Sequence, residues 1–380
     1  MASRRTRSSR SWRPTGTSGP RASRAARGAT PDGADPVTVI DGPSGLTPAA
    51  LSEIFEAPVT GVAWEKVGSG QIGACYRLRL EGAEGVPRRL VAKLAAEDEA
   101  SRAFLAPAYR AEVSFYRDIA PTVAVRTPRC HYSAQSEDGT AFVLLLDDLH
   151  PATQGDQIAG CTPEQAADAV TNLAGLHGPR WCDPTLADLP WLSTVGDDDA
   201  ATLGEVYAPA VETFVDRFAG ELDDRDVRTL RDTAGAIAAW MTARPGCFGL
   251  VHGDYRLDNL LFPPAPERGA TAVDWQTLSL GHPVRDLAFF LGTSLDPAER
   301  AARERSLVAT YHAALTGYGV DGYGLDECFE DYRFAALQGP LITVLGCAYG
   351  TRTERGDRMF LTMTTRSCAA IRDLGSLGLI

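Results

Sequence analysis

Lysine is almost missing from this chain of 380 residues. Lys66 and Lys93 are the only two among 37 basic residues, and the other 35 are Arg. Where Arg serves nearly everywhere, a Lys marks a position that needs a compact, flexible ammonium. Asparagine is as scarce, with Asn172 and Asn259 alone, and His numbers six. No run of eighteen apolar residues occurs, which speaks against a membrane span. The eight Cys, at 75, 130, 161, 182, 247, 328, 347 and 368, show no CxxC or metal-ligand spacing. Reduced thiols, a cytoplasmic protein and no zinc site are therefore expected. Acidic residues are missing from positions 1–31, which hold eight Arg, so the formal −12 of the whole chain becomes −20 over the rest. So acidic a body argues against nucleic acid as the main partner. Residues 1–37, basic, rich in Ser, Gly and Ala and without a signal-peptide h-region, are expected to be a disordered tail.

What is present reads as an ordered α+β protein. Hydrophobic residues make up 44% of the chain, enough for one large domain or two lobes around a substantial core. Thr47 before Pro48 reads as the N-cap and first residue of a short helix. Strand-like runs at 62–67, 74–80 and 89–94, separated by glycine turns, predict an antiparallel meander. Residues 108–119 predict an amphipathic helix with Val113, Tyr116 and Ile119 inward. The apolar run 142–146 predicts a buried strand ending at Asp147, and the lobe boundary is placed there, with an N-terminal lobe at 38–148 and a C-terminal lobe at 149–380. Thr162 and Gln165 form a capping-box pattern opening a helix that runs to His177. The period is helical over 181–245, with breaks expected at Pro184, Pro190 and Pro209, and helices are predicted at 284–294, 297–316, 327–346 and 355–373.

The most specific stretch is His252-Gly-Asp-Tyr-Arg-Leu-Asp-Asn259, followed by Asp274-Trp-Gln. Phosphoryl transfer to a hydroxyl needs a carboxylate to orient the acceptor and take its proton, and oxygen ligands to hold magnesium on the phosphates. Asp254 suits the first task, and Asn259 and Asp274 the second. Apolar runs at 260–262 and 271–273 read as the two strands of a hairpin, whose ends would bring Asn259 and Asp274 together. With so few His and Asn, a chance match to His-x-Asp-x4-Asn is on the order of one in several hundred chains.

Upstream, Gly68-Ser-Gly-Gln-Ile-Gly73 lies between two strands and not between a strand and a helix. That context favours a loop whose Gly68, Gly70 and Gly73 let backbone amides approach phosphates from above, although GxGxxG alone is a weak motif. Val91-Ala-Lys93-Leu places an ammonium on the third strand, and Glu112, nineteen residues later, is the candidate carboxylate to hold it.

Taken in order, these residues resemble the aminoglycoside phosphotransferase and choline kinase superfamily of the protein-kinase-like fold, over about residues 60 to 375. The motif phrases look most like the ecdysteroid-kinase-like group and the kinase-like domain found beside acyl-CoA dehydrogenases, which is associated with hydroxyacyl substrates. The resemblance implies a bilobal fold with a small antiparallel-sheet N-lobe and a larger helical C-lobe. It implies an ATP- or GTP-dependent phosphotransferase using Mg2+ on a small-molecule alcohol. Asp147 would then lie in the hinge that meets the base, Arg256 near the transferred phosphoryl group, and Asp286 behind the catalytic loop. Gln276 stands where a kinase has the glycine of its Asp-Phe-Gly, a departure from that pattern. Only eleven residues separate Asp274 from Asp286, too few for a peptide-binding platform. The rival reading is a catalytically inactive nucleotide-binding regulator, against which stands a constellation with no inert substitution.

Overall fold

The computed structural model describes residues 38–68, 72–244, 246 and 248–380. The basic tail and Gly70 lie outside the described residues. Helix α1 (Pro48–Phe55) begins as expected, with the Thr47 hydroxyl accepting the Ala50 amide at 3.2 Å. It lies against β1 (Val59–Val67), β2 (Gly73–Gly82) and β3 (Arg89–Ala95). After α2 (Glu99–Ser114), β4 (Cys130–Gln135) and β5 (Phe142–Asp147) complete a five-stranded antiparallel sheet of order β1-β2-β3-β5-β4. The strand β4 is not foreseen from sequence because Cys-His-Tyr-Ser-Ala-Gln alternates too weakly to declare a buried face, as befits an edge strand.

Each strand sends alternate residues to opposite faces, and here both faces are covered. Leu90, Ala92 and Leu94 join Val143 and Leu145 in a core closed by Leu51 of α1. Phe142, Leu144 and Leu146 face the other way, into the large core that also holds Tyr109, Val113 and Phe115. Lys93 pairs with Leu144 across the β3–β5 ladder. The alternation that buries Ala92 and Leu94 on the first face therefore turns Lys93 toward α2.

Helix α2 starts earlier than expected and passes through Pro107, capped by Asp98. The lost hydrogen bond is tolerated because Tyr109, in the next position but one, is fully buried and stacks on Phe142 with ring centroids 4.5 Å apart. Beyond Ser114 the helix widens into a π turn, Phe115–Ile119.

The chain then crosses β6 (Thr153–Gln154) into α3 (Pro163–His177), which opens with both reciprocal bonds of the capping box, at 3.0 and 3.2 Å. Helices α4 (Asp197–Arg217) and α5 (Asp224–Thr242) follow. Pro209 does not break α4, since buried Tyr207, Ala210, Val211 and Phe214 hold the segment against its neighbours. Short strands β7 (Gly249–Val251), β8 (Leu260–Phe262), β9 (Thr271–Ala272) and β10 (Ser279–Gly281) carry the site loops. Helices α6 (Val284–Ser294), α7 (Pro297–Gly317), α8 (Leu325–Ala335), α9 (Gln338–Tyr349) and α10 (Glu354–Leu374) finish the chain. The single helix expected at 327–346 is two, because Pro340 cannot donate to, and clashes with, the carbonyl four residues before it. Every residue of α6 is buried.

Among the described residues six Cys are free thiols, but Cys182 is disulfide-bonded. This corrects the expectation of thiols throughout. Such a bond depends on proximity in the fold and leaves no local spacing to read. Among the described residues no helix is long and apolar enough to cross a membrane, and no cluster of three or more His, Cys, Asp or Glu could hold a metal.

Leu144 joins the sheet to the helical core beside Lys93. Leu144→Ala should lower unfolding stability by about 2–5 kcal/mol through lost burial and a residual cavity. Denaturant unfolding monitored by Trp fluorescence measures it.

Candidate active site

The antiparallel pair β7 and β10 aligns Val251 with Ser279, so the loops that leave them, at 252–259 and 274–278, lie side by side. The hairpin β8–β9 pairs Leu260 with Ala272. Just before it, the Val273 amide donates to Asn259 O at 3.0 Å, so Asn259 and Asp274 flank the same end of the hairpin. The expected convergence of these two residues is present.

The loop is suspended from buried groups. Asp286 accepts the His252 amide at 2.6 Å and the Gly253 amide at 2.9 Å. Gly253 has φ +82°, and a Cβ there would lie 2.8 Å from Thr277 O, so no other residue fits without displacing the neighbouring loop. Thr277 donates back to His252 O at 2.7 Å. The Tyr255 hydroxyl donates to Ala169 O on α3 at 2.8 Å, and Gln157 accepts the Leu257 amide at 2.8 Å. On the ring of His252, Nδ1 faces the Asp254 amide at 3.3 Å and Nε2 faces Val273 O at 3.2 Å. An acceptor at Nδ1 and a donor at Nε2 define the neutral tautomer.

Asp254 is half-buried. Asn259 Nδ2 donates to its carbonyl at 2.9 Å and its Oδ2 at 2.8 Å, and Arg256 Nε lies 2.9 and 3.0 Å from its two carboxylate oxygens. The Asn259 amide is thereby oriented, with Oδ1 left as an acceptor. Asp274 has φ +70°, a conformation costing a residue with a Cβ about 1–3 kcal/mol. Trp275 holds it there, stacked on Phe115 with centroids 3.6 Å apart and donating from Nε1 to Thr127 at 3.2 Å.

Lys93 Nζ lies 2.8 and 2.7 Å from the two oxygens of Glu112 and 3.0 Å from Asp274 Oδ1. Residues 181 positions apart thus meet in one ion cluster. Burial pulls the Lys93 pKa down, but the two carboxylates outweigh it and hold the ammonium charged. Burial also raises Glu112, with Asp274 adding to the rise against the pull of Lys93. Burial would raise Asp274 too, yet Lys93 holds its carboxyl below the usual range. Two carboxylates share one ammonium.

Among the remaining expected site residues, Gly68 has φ +74° and Gly73 pairs with Ala95 at the start of β2. A Cβ on Gly73 would lie 2.9 Å from Leu94 O and 3.7 Å from Gln276 Nε2. That Gln276 nitrogen is buried without a hydrogen-bond partner among the described residues. The Asp147 amide is taken by Arg129 O at 2.9 Å, and its carboxylate by His131 at 2.6 Å. The neighbouring Asp148 binds Arg89 at 2.7 and 3.0 Å. Sequence reasoning did not find Gln157, Thr277 or Arg355, whose roles rest on contacts about a hundred residues away or across a loop. Asp258 was in view within the motif, but its partner was not.

A small antiparallel sheet and a helical body enclosing these two loops define a kinase-like fold. The model of the phosphotransferase enzyme family matches residues 63–323, and the chain belongs to that family. Among solved structures, the GDP complex of aminoglycoside 2'-phosphotransferase-IIIa is similar with a TM-score of 0.52 at 17% identity, covering 82% of this chain and 93% of that one. A Plasmodium vivax ethanolamine kinase has a TM-score of 0.48 at 11% identity, covering 82% and 83%. Among curated proteins, acyl-CoA dehydrogenase family member 10 of Mus musculus is 48% identical over 107 residues, 24% of this chain and 10% of that protein. Family member 11 of Homo sapiens is 49% identical over 41 residues, 11% of this chain and 5% of that protein. The chain therefore spans a tenth or less of the length of these two relatives.

His177 offers a test of the support behind the loop. It is fully buried between Tyr311, 2.7 Å from Nδ1, and Asp286, 3.3 Å from Nε2. Burial lowers its pKa despite Asp286. A base with a depressed folded pKa takes up a proton on unfolding, so its contribution is complete above its unfolded value of about 6.5 and declines as pH falls below that. The unfolding midpoint should drop between pH 7 and 5.5. In His177→Asn, less stable throughout, calorimetry should show a shallower drop.

Proposed function

We propose that the protein transfers the γ-phosphoryl group of ATP or GTP to a hydroxyl of a small molecule, with Mg2+. The observation that carries this reading is the meeting of Lys93, Glu112 and Asp274 beside the Asp254–Asn259 loop. Residues 38–148 would hold the nucleotide, with Gly68, Gly70 and Gly73 over the phosphates and the chain around Asp147 along the base. Residues 149–380 would carry the reacting groups and receive the acceptor. The orphaned Gln276 amide beside Gly73 and Lys93 suits a site that takes anionic oxygens. Asn259 Oδ1 and the Asp274 carboxylate are hard oxygen donors of the kind Mg2+ selects. When bound, Mg2+ would neutralise charge on the phosphates.

The chain's own residues do the rest. Lys93, held by Glu112, presents an ammonium to the phosphates. Asp254 orients the acceptor hydroxyl and takes its proton late, since a loose transition state leaves little work for a strong base. Arg256 lends its guanidinium to the charge on the transferred group. The acceptor is a small molecule because the stretch between Asp274 and Asp286 leads directly through β10 into α6, with no segment to seat a peptide. A first substrate screen would set hydroxyacyl thioesters, which the sequence resemblance implies, beside aminoglycosides and simple alcohols.

Two variants test the assignment. Asp274→Ala should abolish turnover and weaken metal-dependent nucleotide binding while the fold survives, which titration calorimetry with and without Mg2+ would register. Wild-type turnover in this variant would remove the metal assignment. Asp254→Asn preserves shape and should leave nucleotide affinity nearly intact, while product formation falls by about 10²- to 10⁴-fold. Normal nucleotide affinity together with undiminished physiological activity would make the protein a nucleotide-binding regulator.

A further inference from the structure

After Gly253 the chain runs through Arg256, whose backbone is extended, into a single 3-10 turn at Leu257–Asn259. Tyr255 and Leu257 are fully buried, while Asp254, Arg256 and Asp258 form a charged row on the other side. Arg256 is shared between its neighbours. Its Nε contacts Asp254, and its Nη1 lies 2.9 Å from Asp258 Oδ2 and 3.3 Å from the Met359 sulfur. Asp258 is held in turn from two distant parts of the chain. Arg355, in the first turn of α10, grips it with both ends of its fork, Nη1 to Oδ2 at 2.9 Å and Nη2 to Oδ1 at 3.0 Å. The Gln157 amide adds a bond to Oδ1 at 3.0 Å. The bonds of Arg256 run from Nε and Nη1, which leaves Nη2 as its nitrogen without a protein partner among the described residues.

A guanidinium that meets a single carboxylate along its Nε edge settles into the side-on, two-bond arrangement, with Nε and Nη2 each on one oxygen. With Asp254 alone, Arg256 would thus spend the nitrogen that is now unengaged. The pull of Asp258 on Nη1 prevents this, and Nε bridges both oxygens of Asp254 instead. Arg355 is the residue that keeps Asp258 in place to exert that pull, from 97 positions away.

We propose that Asp258 and Arg355 are positioning residues for phosphoryl transfer, fixing Arg256 so that its Nη2 stays available to the transferred group. This rests on the phosphotransferase reading above. It ties the first turn of the last long helix to the reacting centre, so that displacement of α10 by an incoming acceptor would be felt at Arg256.

The test uses the full chain and nucleotide hydrolysis with water as acceptor, in Mg2+ and ATP or GTP. Arg355→Ala should lower kcat about tenfold with the nucleotide KM changed less than about twofold, and Arg355→Lys, lacking the fork, should recover only part. In an Arg256→Ala background the further change Arg355→Ala should have no effect beyond about twofold, since the path through Arg256 is already cut. Equal effects of Arg355→Ala in both backgrounds, or none in the wild type, would overturn the proposal. An Arg256→Ala enzyme with wild-type turnover would overturn it too, while leaving the Asp254 assignment to its own test. Should the wild type hydrolyse neither nucleotide, water does not serve as an acceptor, and the phosphotransferase reading rests on the substrate screen above. The positioning claim is then decided by ¹⁵N NMR of the Arg256 Nε–H, assigned with Arg256→Lys. A signal protected from exchange in the wild type and lost in Arg355→Ala supports it, and an unchanged signal refutes it.

Discussion

One ammonium shared by a buried and a half-buried carboxylate, Glu112 and Asp274, is the constraint on which the site depends. Lys93 brings a single positive charge from β3, Glu112 a negative one from α2, and Asp274 another from the loop after β9. Removing Lys93 would leave Glu112 as an uncompensated buried charge, at a cost of about 3–5 kcal/mol. The cluster therefore fastens the sheet, the helix over it and the loop below to one another. A compact ammonium reaches carboxylates on two different elements, whereas a planar guanidinium would favour one of them. That is a physical reason for one of two Lys to stand here in a chain otherwise supplied with Arg. The surplus negative charge of the cluster lies on the side where a cation would be drawn.

Below this cluster the motif loop gains its shape from the interior rather than from itself. Asp286, on a helix with no exposed residue, collects two successive backbone amides. Gly253 permits the backbone to approach Thr277, and Tyr255 and Leu257 anchor in the helical core. Rigid support of this kind is what holds a strained residue such as Asp274 at positive φ, because each neighbour has a partner it would lose if the loop relaxed.

Membership of the phosphotransferase enzyme family and the fold agree with that arrangement. The family defines the class of chemistry, and the acceptor is chosen elsewhere. In this chain the helices that follow β10 do more than close the C-terminal body. Through Arg355 the start of α10 reaches back to the motif loop, and through Arg217, bonded to Cys347 O at 3.0 Å and paired with Asp357, α4 is joined to the same region. Helices α4, α9 and α10 are thus joined to one another and to the motif loop.

The residues proposed to carry the chemistry were legible because they are local. His252 to Asn259 is contiguous, its His and Asn are rare in this composition, the strands around it and β5 announce themselves by apolar runs, and β1, β2 and β3 do so by alternation. The pairing of Lys93 with Glu112 was also readable, since a strand lysine and the helix that follows leave few other partners. The weak edge strand β4, the passage of α2 and α4 through Pro107 and Pro209, the break before Pro340 and the bond at Cys182 were not. Propensity and period describe a residue's neighbours in sequence, and these outcomes turn on what packs against it. The grip of Arg355 on Asp258, the Gln157 bonds and the stack of Phe115 on Trp275 join positions about 100 to 160 residues apart. In a chain with 35 Arg nothing distinguishes one exposed guanidinium from another until the fold sets it against a buried carboxylate. By itself the sequence determined which groups are available and in what order, and the tertiary structure decided which of them touch, because contact across such separations is set by the packing of whole elements.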